Sequence, residues 1–116
     1  MGLALILAAD GVRVLRALAL AGIFLPDADP ARFLLDLSGG RPHLVVADLC
    51  GATATEPDAA ARAMLPVAVA WCRTALAWPP FRGDRRRREV PDALAHELDG
   101  ATDLASLVAA LVEIGS

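Results

Sequence analysis

The stretch from Arg41 to Asp58 constrains the fold most: Arg-Pro-His-Leu-Val-Val-Ala-Asp-Leu-Cys-Gly, then Ala-Thr-Ala-Thr-Glu-Pro-Asp. Leu44, Val45 and Val46 are apolar on successive positions, the pattern of a strand buried on both faces. Gly51 closes that run. Thr55 is the expected N-cap of the next helix, Pro57 suits its first turn, and Glu56 and Asp58 sit beside the positive end of its dipole. A strand, a turn at its carboxyl end and a capped helix form the usual place for an α/β domain to keep its site.

Upstream, two apolar runs over 3–8 and 12–20 flank Asp10-Gly11, a strong short hairpin signal, and the expectation there is an antiparallel pair. The rival is a helix, because Ala and Leu favour that state and Val14, Leu15 and Leu18 fall at helical spacing. Asp29 and Pro30 open an expected helix over 31–37, with Phe33, Leu34 and Leu37 as its stripe, stopped by Ser38-Gly39-Gly40. A longer helix is expected over 56–76, buried along Ala60, Met64, Val67, Trp71 and Ala75, with Pro66 kinking or splitting it. Two short helices, 90–98 and 103–112, close the chain. The expected fold class is α/β: a small mixed β-sheet with helices packed on it, in the order β-β-α-β-α-(β)-α-α.

At 116 residues, one domain over 1–116 is expected. Its hydrophobic fraction is 56% with only 4% aromatic, so the core must be built from aliphatic and small side chains. All basic residues are arginine, and five of them crowd residues 82–89, a solvated loop in a chain of net charge −3. That acidity argues against a general polyanion binder. Cys50 and Cys72 read as free thiols, and the spacing of His43 and His96 suits no metal. The uncharged run 17–25 is far short of the roughly 20 residues of a membrane helix, so a cytoplasmic location is expected.

The block Pro42-His43-Leu44-Val45-Val46-Ala47-Asp48-Leu49-Cys50-Gly51 and the helix start after it resemble the STAS domain of anti-sigma-factor antagonists. That family carries a strand ending in Asp-Leu-Ser-Gly, then a loop and a helix beginning Asp-Ser-Ser/Ala-Gly. Cys50 stands where the family has serine. With Asp58 aligned to the family's aspartate, Ala59 occupies the phosphorylatable serine, leaving Thr53 and Thr55 as the nearest hydroxyls. The resemblance implies a non-catalytic regulatory domain, needing no cofactor or metal and no longer switched by serine phosphorylation. It would dock an anti-sigma factor or related ATP-binding regulatory kinase. Asp48, Thr53, Thr55, Glu56, Asp58, Ala59, Ala60 and Ala63 would form the contact. Self-association as a homodimer stays open. The alternatives are a small α/β enzyme using Cys50 and Asp58, or a nucleic-acid contact through Arg82 and Arg85–Arg88.

Overall fold

A computed structural model describes residues 3–29, 32–36, 38–40, 43–76, 96, 98 and 100–115. The fold is a small mixed α/β arrangement. Helix α1 (Leu3–Leu20) leads into β1 (Ile23–Phe24), β2 (Phe33–Asp36), β3 (His43–Val46) and β4 (Thr53–Ala54). Helices α2 (Pro57–Leu76) and α3 (Leu104–Gly115) follow. The strands form two antiparallel pairs, β1 with β4 and β2 with β3.

Helix α1 replaces the hairpin expected over 3–20. Leu5, Ala8, Ala9, Val12, Leu15 and Ala19 are buried at three- and four-residue spacing, which makes one apolar face. The hairpin signal at Asp10-Gly11 has a tertiary origin. The Asp10 carboxylate accepts the backbone N–H of Leu44 on β3, and its other oxygen lies 3.8 Å from His43 Nδ1. Gly11 is bare because Trp71 lies against it: a Cβ there would sit 2.0 Å from the indole Nε1. Trp71 Nε1 donates to the Ala8 carbonyl at 3.2 Å, and its ring meets Phe33 with centroids 4.7 Å apart. One side chain thus joins α1, α2 and β2.

The helix expected over 31–37 is strand β2. A seven-residue helix gains too few internal hydrogen bonds to hold alone, whereas pairing with β3 satisfies this backbone. The turn that follows is held by Asp36, whose Oδ1 accepts both the N–H and the hydroxyl of Ser38. Those bonds hold the Asp36 carboxyl below its ordinary range. Strand β3 lies where expected but is not buried on both faces. His43 and Val45 are exposed while Leu44 and Val46 are half-buried, the alternation of a strand with one solvated face.

Helix α2 forms close to the expected place and runs unbroken through Pro66, which lies on its exposed side. Its first backbone bond, Ala60 N–H to Glu56 C=O at 2.8 Å, makes Glu56 the cap, one residue after Thr55, with Pro57 in the first turn. Its inner face presents Ala60, Met64, Ala68, Trp71, Cys72 and Ala75 to α1. Helix α3 adds Leu104, Leu107 and Leu111 to that core and is capped by Asp103, whose Oδ1 accepts the Ser106 N–H at 2.7 Å. The helix expected over 90–98 and the question of a strand after Trp78 lie almost wholly outside the described residues. Among the described residues no helix is long and apolar enough to cross a membrane.

Candidate functional site

The carboxyl end of β3 carries the candidate site, and Arg32 builds it. Arg32 lies at the entry to β2, and its side chain is only 16% exposed. Its Nη1 donates to the Cys50 carbonyl at 2.7 Å, and its Nη2 donates to Asp27 Oδ2 at 3.2 Å. Asp48 Oδ2 lies 4.0 Å from Nη1. One guanidinium therefore ties the loop after β1 to the loop after β3, and a planar fork with several donors suits that work. The bond from Arg32, helped by the Asp29 N–H at 2.9 Å, holds the Asp27 carboxyl below its ordinary range. The same contact raises the Arg32 guanidinium.

Local turns set the loop's shape. The Cys50 N–H donates to Asp48 Oδ1 at 2.8 Å, and the Ala52 N–H donates to the Leu49 carbonyl at 2.9 Å. In that turn Gly51 has φ 85°, the third-place conformation that a type II turn reserves for glycine. β4 then pairs with β1, Thr53 opposite Phe24 and Ala54 opposite Ile23. The Thr55 N–H extends this ladder to the Gly22 carbonyl at 2.7 Å. The segment 48–58 is thereby pinned from both sides before α2 begins.

Asp48, Thr53, Thr55, Glu56, Asp58 and Ala63 are exposed, and Ala59 is half-buried. Ala60 is fully buried in the core, so it offers nothing to a partner. Leu49, which sequence reasoning passed over, is 46% exposed at the start of the segment. Arg32 and Asp10 were missed as well. The one available signal for Arg32 was its isolation, the only basic residue between Arg16 and Arg41.

The two thiols differ sharply. Cys50 is exposed; Cys72 is buried among α2 core residues, and desolvation pushes its pKa up to about 12. Iodoacetamide at neutral pH is expected to alkylate one thiol per native chain and two after unfolding. Peptide mapping that finds the label on Cys72 in native protein would contradict this packing. His43 lies beside Asp10 while His96 is exposed elsewhere, and among the described residues no three His, Cys, Asp or Glu side chains gather to hold a metal ion. Arg82 and Arg85–Arg88 lie outside the described residues.

A shallow groove of about 490 Å³ runs between the loop after β1 and α2, lined by Pro26, Asp27, Asp29, Pro66, Val67 and Thr74. It adjoins the Arg32 clamp through Asp27. Set against protein-family models, curated proteins and solved structures, the chain finds no match.

Proposed function

We propose that this chain is a non-catalytic docking domain whose partner surface is the segment from Asp48 to Asp58 with the first turns of α2. One observation carries this reading: Leu49 stands half out of the protein on a pinned loop, directly after the carboxylate of Asp48. The segment holds Asp48, Glu56 and Asp58 and no basic residue. An exposed apolar side chain on an otherwise acidic segment suits a protein contact, and a loop already held by Arg32 loses little freedom on binding. The resemblance to anti-sigma-factor antagonists narrows the partner to an anti-sigma factor or related ATP-binding regulatory kinase. With Ala59 at that family's serine position, such docking would not be switched by serine phosphorylation.

The test compares the native chain with Leu49→Asp and with the pair Glu56→Lys and Asp58→Lys as bait for proteins of the native lysate. A kinase-like ATP-binding protein held by the native chain should bind Leu49→Asp about tenfold more weakly, and the charge-reversed pair at least as weakly. Equal capture by all three baits would remove this surface from the function.

A further inference from the structure

We infer that two copies of this chain pair antiparallel along the outer edge of β2, each Leu34 facing Leu34 of the other copy, to make one four-stranded sheet. The argument starts from hydrogen-bond phase. Phe33 opposes Val46, Leu34 opposes Val45, Leu35 opposes Leu44 and Asp36 opposes His43. The Ala47 N–H donates to the Arg32 carbonyl at 2.7 Å, which marks Arg32–Ala47 as a bonded pair. The Leu44 N–H instead points away from β2 to Asp10. Because bonded and non-bonded pairs alternate in an antiparallel ladder, Leu34 and Asp36 bond inward to β3. Phe33 and Leu35 therefore turn their N–H and C=O groups outward.

The two edges of this sheet are unequal. Helix α1 packs along β3, and Asp10 accepts the outward N–H of Leu44. Among the described residues no third strand pairs with β2. β2 reads Phe-Leu-Leu-Asp, without the proline or lysine that guards an open edge. Its solvent face is apolar too: Leu34 is 64% exposed and its cross-strand partner Val45 is 49% exposed. A two-stranded sheet with an open, apolar edge is marginal until a further strand covers it.

That edge is complementary to itself. Placing Leu34 opposite Leu34 of the second copy sets Phe33 opposite Leu35, twice by symmetry. These are the residues with outward groups, so four backbone bonds close in phase. The same register places the twofold axis between the two Leu34 residues, so both copies bury the same surface. On the solvent face Val45, Leu34, Leu34 and Val45 become one continuous apolar row. A shift by one residue breaks the phase, because it sets outward groups against inward ones.

The full chain should sediment as a concentration-dependent dimer. Leu35→Pro removes an outward N–H and leaves the inward ladder untouched, so it should weaken the dimer at least about tenfold with an unchanged circular dichroism spectrum. In a Cys50→Ser chain, Leu34→Cys should cross-link on mild oxidation, because a non-bonded pair holds its Cα atoms about 4.5 Å apart, within disulfide reach. Leu35→Cys should not, since residue 35 faces residue 33. A chain that stays monomeric at millimolar concentration, or a cross-link as fast at position 35 as at 34, overturns the pairing. Should Leu35→Pro fail to fold, the two cysteine variants decide alone.

Discussion

Gly11→Ala is expected to destabilise the protein by at least about 2 kcal/mol, although it places a better helix former inside a helix. On an open helix surface the exchange would gain about 0.5–1 kcal/mol, because glycine loses more backbone freedom on folding than alanine. Here the added methyl meets three atoms of the Trp71 indole, at 2.0, 2.3 and 2.8 Å. The indole is rigid and 1% exposed, with Phe33 against it. Overpacking of a closed core costs about 1–3 kcal/mol, and an overlap this deep belongs at or above the top of that range. The clash therefore outweighs the propensity. Thermal unfolding followed by circular dichroism should show the midpoint lowered by about 10 °C. A midpoint that rises would mean Trp71 does not lie on Gly11.

The α/β class, β3, α2 and α3 were legible because each rests on a local pattern. The apolar residues of α2 and α3 recur at helical period, β3 is a short β-branched and apolar run, and Gly51 and Pro57 stand where turn and helix geometry call for them. Residues 3–20 were misread for a physical reason. Asp10 and Gly11 act on partners far along the chain: Asp10 holds Leu44 of β3, and Gly11 makes room for Trp71 of α2. An Asp-Gly pair means a turn only when its demands are local. The same holds for β2, where Phe33, Leu34 and Leu35 fit helix or strand alike until the pairing with β3 decides. At the site the carboxylates of 48–58 were visible in the sequence. The guanidinium that holds their loop was not, since no periodicity marks a lone arginine that reaches two loops at once.

Trp71→Ala should produce the largest single loss, about 3–5 kcal/mol, a large part of the roughly 5–15 kcal/mol that a domain of this size holds. The indole spans three elements, and removing it leaves a void bordered by Gly11, Ala8 and Phe33 that the helices cannot close without moving. Trp71→Phe separates the parts of that loss. It keeps a ring against Phe33 but drops the bond to the Ala8 carbonyl, so it should cost less than half as much. The decisive comparison joins both positions. In the Trp71→Ala background, the methyl of Gly11→Ala enters empty space and should stabilise α1 by about 0.5–1 kcal/mol. The sign of one substitution thus reverses with the other, giving a coupling above about 2 kcal/mol. Urea unfolding of the native chain, the two single variants and the double variant measures it, with Trp71→Phe replacing Trp71→Ala as the background if the latter does not fold. Additive effects would show that the two residues do not touch, and the account of α1 as a helix notched for an indole would fall with them.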